Sequence, residues 1–536
     1  MNADSSNNRA RNTPPQESAE EWRPSFNPWL ITISVMCGTF MEVLDTSVAN
    51  VSLPHIAGSL SASTDEATWV LTSYLISNAI ILPSTNWLSS FFGRKQLLMG
   101  CVTIFTVSSA LCGAATSLEM LLAARVIQGV GGGVLQPIAQ AVLLESFPRE
   151  KRGQAMAIYG MGIIVAPIIG PTLGGWITDN YSWRWIFYIN VPVGVAAVFM
   201  IQAFVENPPY LQGGSQRSID YIGFGFMALW LSTLQIVLDK GQEEDWFASS
   251  WITKFAIVSA ISMILFIVQE LRSQDPIVDL RVLKDRNFAV GVLLMMAVGA
   301  VLYSTTAQLP LFLQTLLGYP ALQSGLAVSP RGLGSMLSMI IVGRLVGRIS
   351  SRFLLSLGFG LLSVSVYILS GLNLEIATTN VVWPNVLNGF AMGFIFVPLT
   401  TTAMGTLRRE QIGNATGIYS LMRNIGGSIG ISAVTTMLSR GSQYHQAILV
   451  NHTGPYDPMF QHRFAQIREM LGRLSDPHHA TQQAYGVIYG IVQQQASLLA
   501  FMDNFRYLTL MSLFCIPMVF LFRAVKIGDV PDTAVH

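Results

Sequence analysis

Charge is what this sequence lacks most. Lys, Arg, Asp and Glu make up 11% of its 536 residues, against about 25% in a soluble domain. Hydrophobic residues make up 51% and the mean hydropathy is +0.48. Such a chain cannot cover its own surface with polar groups, so lipid must be part of its solvent. Cysteine is scarce too. Cys37, Cys101, Cys112 and Cys515 all fall inside apolar runs, which points to buried free thiols rather than a disulfide or metal framework. A net charge of +1 carries no signature of nucleic-acid binding. The sequence has no G-x-x-x-x-G-K-[ST] run, so ATP drive within the chain is not expected. Neither a nucleophile–base pair nor a metal-ligand cluster marks it as an enzyme, and no metal or organic cofactor is expected. Residues 1–27 are polar, without the apolar core of a cleavable signal peptide. They read as a disordered cytoplasmic tail, which leaves targeting to the first spanning helix.

What the sequence does have is long apolar runs. A spanning helix needs about 20 such residues. Windows of that size fall near 29–51, 67–90, 96–115, 119–142, 154–178, 185–205, 219–239, 251–271, 288–312, 323–345, 353–372, 381–404, 413–437 and 504–524. The expectation is an all-α membrane protein with fourteen transmembrane helices. With the N-terminus inside, the cytoplasmic connections hold fifteen Lys and Arg residues, from Arg94 and Lys95 to Arg408 and Arg409. The opposite short connections hold only Arg184, Lys240 and Lys254. That bias sets both termini on the cytoplasmic side. Residues 438–503 form a long polar connection on the outer side, carrying the runs "MFQHRFAQIREMLGRL" and "TQQAYGVIYGIVQQQASLLAFM". It reads either as a helical hairpin on the membrane surface or as a docking site for a periplasmic partner.

The chain repeats itself at an offset of 260 residues. "FPREKRGQAMAIYG" (147–160) aligns with "LRREQIGNATGIYS" (407–420), and "RVIQGVGGGVL" (125–135) with "NVLNGFAMGFI" (385–395). Two parallel halves are a transporter signature, with the substrate site at their interface near mid-membrane. The expected division is a tail at 1–27, a first six-helix bundle at 28–206, two inserted helices at 207–286 and a second six-helix bundle at 287–536. The symmetry breaks at Arg125, which faces Asn385 in the alignment. It breaks again at Pro167 and Pro171, which face Gly427 and Ile431. Proton chemistry is therefore expected in the first half.

In "FMEVLDTSVANVSLP" (40–54), Glu42 and Asp45 lie one turn apart on one face of an apolar helix. Ionisable groups within a membrane are costly and mark function by default. Asp45 is expected about six residues, or about 10 Å, below the outer end of its helix. Arg125 lies at a similar depth in "LLAARVIQGVGGG", so the two could pair. The pair would be a proton switch or a static salt bridge. Glu42 could carry a proton, contact a cationic substrate, or be a solvated cavity carboxylate. In "GMGIIVAPIIGPTLGGW", Gly162, Ala166, Gly170 and Gly174 recur every four residues, and Pro167 and Pro171 share that spacing. Small residues at this period let helices approach closely, and the prolines bend the helix. Arg423 lies near mid-membrane without a carboxylate nearby on its own helix. It faces the cavity and attracts anionic drugs, or bonds to helix carbonyls.

With these motifs, and with "DWF" (245–247) and "PIVDLRVLKDRNF" (276–288), the chain resembles the major facilitator superfamily. It is most similar there to the fourteen-helix drug/proton antiporter family, of the EmrB-type multidrug exporters. The resemblance implies the major facilitator fold of two six-helix bundles plus two inserted helices. It also implies proton-coupled efflux of small hydrophobic drugs across the bacterial inner membrane, driven by the proton gradient. Asp45, Glu42 and Arg125 would carry the coupling, and Glu42, Gln128 and Arg423 would line the substrate cavity. Gly162, Ala166, Pro167, Gly170, Pro171 and Gly174 would form the antiporter motif. A periplasmic adaptor (membrane fusion) protein and an outer-membrane channel are the implied partners. The connection at 86–98 departs from the superfamily's loop pattern: Gly93, Arg94 and Lys95 are present, but Ser90 stands where an aspartate is expected. That loop is expected to serve topology and gating only. The rival readings are an exporter or facilitator of one metabolite, and a membrane sensor that transports nothing.

Overall fold

The computed structural model describes residues 24–148, 151–208, 220–451, 453–454, 456–473 and 477–523. Most of the polar tail, together with Arg149 and Arg217, lies outside the described residues. Among the described residues the chain is helical throughout, with seventeen α-helices and no β-strand. The first half holds α1 (Pro28–Ser59), α2 (Thr64–Phe92), α3 (Arg94–Gly113), α4 (Leu118–Ser146), α5 (Arg152–Asn180) and a sixth span split into α6 (Trp185–Tyr188) and α7 (Asn190–Phe204). The inserted pair is α8 (Tyr221–Lys240) and α9 (Ser250–Arg272). The second half holds α10 (Arg286–Thr315), a span split into α11 (Ala321–Val328) and α12 (Pro330–Leu345), then α13 (Ser351–Leu369), α14 (Thr378–Met404), α15 (Arg409–Val450), α16 (Pro458–Gly472) and α17 (Pro477–Val519).

Thirteen of these stretches are long and apolar enough to cross a membrane. The fourteenth is α15. It packs inside the bundle against α10, α2 and α4, although its residues are more polar. The chain is a multi-pass membrane protein. The two split spans have local causes. Pro192 has no N–H to donate to the carbonyl of residue 188, where α6 ends. Pro330 likewise leaves the carbonyl of Leu326 unmet, and the Ser329 hydroxyl donates to it at 3.1 Å.

Glycines set how closely the helices approach. A side chain at Gly170 would sit 2.3 Å from the Ser47 hydroxyl of α1, and one at Gly174 would sit 2.8 Å from Val48. The second half repeats the device: Gly426 and Gly430 of α15 lie on the carbonyls of Met296 and Ala300 of α10. The two halves meet where α5 runs along α12 and where α2 runs along α15, with α8 packed against α2 and α15.

One sequence expectation is met in part and another needs correcting. The 438–503 connection is helical over most of its described residues, as the hairpin reading expects, but much of it continues the two flanking helices. Helix α15 runs 42 residues to Val450, about 63 Å at 1.5 Å per residue, or twice the roughly 30 Å hydrocarbon core. Helix α17 is already formed at Pro477. The two amphipathic runs are α16 and part of α17, in contact where the Phe464 and Tyr485 rings meet at a tilt with centroids 4.5 Å apart. Helix α1 also continues through Pro54 to Ser59, so Asp45 lies fourteen residues from its end rather than six.

If glycine contacts set the helix spacing, Gly426→Val should destabilise the protein by about 1–3 kcal/mol, because the new side chain would meet the Met296 carbonyl at 2.0 Å. Gly100→Val should be nearly neutral, since nothing lies within 4 Å there. Thermal unfolding of both variants in detergent, beside the native chain, measures the difference.

Candidate functional site

Asp45 is 2% exposed and Arg125 is fully buried. The structure brings them together: Arg125 Nη1 donates to Asp45 Oδ2 at 2.5 Å. Nε and Nη1 of the guanidinium make further contacts, while Nη2 has no hydrogen-bond partner among the described residues. Its Nε donates to the Val70 carbonyl at 3.0 Å, and Nη1 also reaches Gln128 Oε1 at 2.7 Å. Its plane lies over the Tyr74 ring, 4.3 Å from the centroid. The other carboxylate oxygen, Asp45 Oδ1, accepts from Gln128 Nε2 at 3.0 Å and from Asn190 Nδ2 at 2.8 Å. Asn190 also donates to Ser109 Oγ at 3.1 Å. Side chains of α4 and α7 thus meet the carboxylate of α1, and residues of α2 and α3 hold those side chains. Burying an ion pair costs desolvation, and the cost is offset only when the leftover donors and acceptors are met.

Glu42 is held differently. It is 5% exposed and touches neutral donors: Gln136 Nε2 at 2.6 Å, Tyr74 Oη at 3.3 Å and Asn78 Nδ2 at 3.3 Å. It does not contact Arg125; Tyr74 lies between them. The partner of Arg423, which the sequence did not supply, is Gln136: Arg423 Nη2 donates to Gln136 Oε1. A single amide therefore links a carboxylate of the first half to a guanidinium of the second. Tyr159 donates to the Gln136 carbonyl at 3.2 Å. Gln128, assigned from sequence to the substrate cavity, is fully buried between Arg125 and Asp45. Glu42 and Arg423 are closed over as well in this conformation.

The glycine–proline stretch of α5 lies directly against the face of α1 that follows Asp45. An α-helix bonds the N–H of residue i to the carbonyl of residue i−4. Pro171 has no N–H, so the Pro167 carbonyl loses its partner, and Ser47 Oγ of α1 donates to it at 3.0 Å. Ala166 is fully buried, and Gly162 faces Met36 of α1. The motif is a joint between α1 and α5, closed by a hydroxyl two residues from Asp45.

A second buried ion pair lies at the junction of α2 and α3. Arg94 pairs with Glu145 of α4, both side chains being 2% exposed. Ser90, in the place of the expected aspartate, donates to the Trp87 carbonyl of its own helix at 2.7 Å. The carboxylate absent from the loop is supplied by α4. Asn86 and Arg94 both border Gly413 of α15, where a side chain would lie 2.2 and 3.1 Å from them. This pair therefore sits on the seam between the halves.

Sequence reasoning missed Asn190, Gln136 and Glu145. Each is a polar residue inside an apolar run, which is the signal that could have found them.

The sequence model of the Major Facilitator Superfamily matches residues 35–431. The chain belongs to this superfamily. It is a transporter rather than an enzyme. Among curated proteins it is 38% identical over 448 residues to the multidrug export protein EmrB of Haemophilus influenzae, covering 82% of this chain and 86% of that one. It is 37% identical over 476 residues to the Escherichia coli K12 protein of that name, covering 88% and 90%. It is 34% identical over 491 residues to the fatty acid resistance protein FarB of Neisseria gonorrhoeae, covering 92% and 95%. Among solved structures, the human organic anion transporter MFSD10 (TETRAN) superposes with a TM-score of 0.56 at 12% identity, covering 91% of this chain and all of that one. That likeness speaks for the shared fold.

Gln136→Leu removes the amide between Glu42 and Arg423 while nearly preserving volume. It should lower transport by about tenfold or more, because two buried charged groups each lose a hydrogen bond. Initial rates in proteoliposomes, normalised to inserted protein, give the measurement.

Proposed function

We propose that this protein is a proton-coupled multidrug efflux transporter of a bacterial inner membrane, exporting hydrophobic and amphipathic compounds. The observation that carries this reading is Asp45 bonded to Arg125 deep within the spanning helices. Its companion, Glu42, is tied through Gln136 to Arg423 of the other half. Protonation cancels the charge of Asp45 and weakens its attraction to Arg125, so the packing of α1 against α4 becomes dependent on one proton. α1 is joined to α5 through Ser47 and Pro167, and α5 runs along α12, so the change reaches the seam. The halves then exchange between outward- and inward-facing arrangements, a population shift biased by a charge change. Substrate leaves outward and the proton leaves inward. The transported compound binds between the halves, with Glu42 and Arg423 exposed to it when they separate.

The Lys and Arg bias places the chain start, the Arg94–Glu145 pair and the α12–α13 turn on the cytoplasmic side. The projecting ends of α15 and α17, with α16, then stand in the periplasm. They carry exposed Tyr444, Tyr456, Met459 and Met470. Aromatic residues and methionine are enriched at protein interfaces, which supports docking of a periplasmic adaptor protein that leads to an outer-membrane channel. The multidrug export proteins named above are relatives over most of their length, which supports the drug-export reading.

Asp45→Asn should abolish proton-coupled efflux while leaving insertion intact. Drug-induced proton release from the purified protein, and drug tolerance of cells carrying the variant, report on it; native tolerance would refute the coupling role. Shortening the projecting hairpin within 445–495 should weaken co-purification of the adaptor more than equilibrium drug binding. Equal adaptor recovery would remove the docking role.

A further inference from the structure

The second half contains a buried cation with no carboxylate in ion-pairing range among the described residues. Arg331 of α12 is 2% exposed. Its Nη1 donates to Thr305 Oγ1 at 3.3 Å and to Thr306 Oγ1 at 3.0 Å. Its Nε and Nη2 have no hydrogen-bond partner among the described residues. These two nitrogens form one edge of the guanidinium, the fork that grips a carboxylate with two parallel N–H···O bonds. Gln308, one turn beyond Thr305 on α10, is 2% exposed, and both its amide atoms lack partners. The same holds for Asn388 of α14, 1% exposed. Asn388 is next to Gly389, where a side chain would lie 1.8 Å from the Arg331 carbonyl, so the three residues come from helices that meet at this level.

Internal symmetry gives this cluster its meaning. Gly129 and Gly389, 260 residues apart, lie on the carbonyls of Tyr74 and Arg331 respectively. Arg331 thus takes in the second half the packing position of Tyr74, the residue that touches both Glu42 and Arg125 in the first. Asn385 and Asn388 align with Arg125 and Gln128. The first half carries an aspartate and an arginine that neutralise one another. The second half carries an arginine with threonines and amides around it, and no acid in ion-pairing range among the described residues. Buried polar groups are almost always met, and an unbalanced charge within a membrane is costly.

We propose that Arg331, with Gln308 and Asn388, is an anion-recognition site that binds the carboxylate of an amphipathic acid during export. The assignment rests on the export reading and names a class of substrate for it. At the neighbouring residue, Gly332, a side chain would lie 3.6 Å from Ile168 of α5. The site is thus one residue from the α5–α12 seam, closed while the halves touch there and opened when they part. The unpartnered amides of Gln308 and Asn388, on the helices packed around Arg331, can donate to an oxyanion without adding a competing charge.

The test is equilibrium binding of pyrenebutyrate and of its methyl ester to the full-length protein in nanodiscs, with empty nanodiscs subtracted. Binding needs no proton gradient, so a failure of proton coupling leaves this measurement untouched. The native chain should favour the acid over the ester. Arg331→Gln should lose about tenfold or more in affinity for the acid, with little change for the ester. Arg331→Lys should retain part of the preference, and thermal unfolding verifies that both variants are folded. Equal affinity for acid and ester in the native chain, or an acid preference that survives Arg331→Gln, overturns the proposal. A parallel titration with potassium chloride covers the other source of a monovalent anion. Chloride-dependent stabilisation that requires Arg331, without competition from pyrenebutyrate, would assign the site to chloride and overturn the carboxylate reading.

Discussion

A carboxylate inside a hydrocarbon slab must be neutralised or fully bonded, and the first half of this protein is arranged around that requirement. Asp45 receives Arg125 and Gln128 from α4 and Asn190 from α7. No one of these contacts can be lost without exposing a charge to a medium that does not solvate it. The remaining organisation follows from this. Glycines on α5 bring that helix against α1, and Gly129 and Gly133 let α4 lie on the backbone of α2. The break between α6 and α7 brings Asn190 to Asp45. Glu42, three residues away, is met by neutral donors, so the two carboxylates of one helix face differ in kind. One is in a direct ion pair, and the other has its cation one amide away in the opposite half.

The duplication makes the asymmetry easier to see. Close approach is inherited by both halves: Gly153 and Gly170 of α5 recur as Gly413 and Gly430 of α15, and Gly129 and Gly133 of α4 as Gly389 and Gly393 of α14. The polar chemistry is not inherited. Asn385, where Arg125 would be, turns back to the Val381 carbonyl of its own helix. Gly427, where Pro167 would be, lies against the Tyr303 ring. The scaffold was kept by its packing, while the interior side chains diverged to different tasks.

Much of this was legible before any coordinates. Asp45, Glu42 and Arg125 stand out because charge is rare in apolar runs, and the α5 glycines stand out by their period. Uncharged amides do not announce themselves in the same way. Asn190 precedes Val-Pro and reads as a turn residue, and Gln136 follows a glycine run. Glu145 was passed over because the superfamily pattern draws attention to position 90, whereas a carboxylate can reach Arg94 from another helix. The continuity of the 438–503 segment with its neighbours is hidden for a different reason. Hydropathy reports the solvent a segment prefers, not its backbone conformation, so a polar extension of a spanning helix reads as a separate segment.

The length of α15 has a mechanical consequence. The helix that holds Arg423 against Gln136 is one unbroken rod whose far end stands well outside the lipid. Any tilt imposed at the level of Arg423 displaces the tip in proportion to its distance from that pivot. The rod is thus a lever that turns a small adjustment between the halves into a larger swing at the projecting hairpin, and a load applied to the tip is felt with equal leverage at the buried charges.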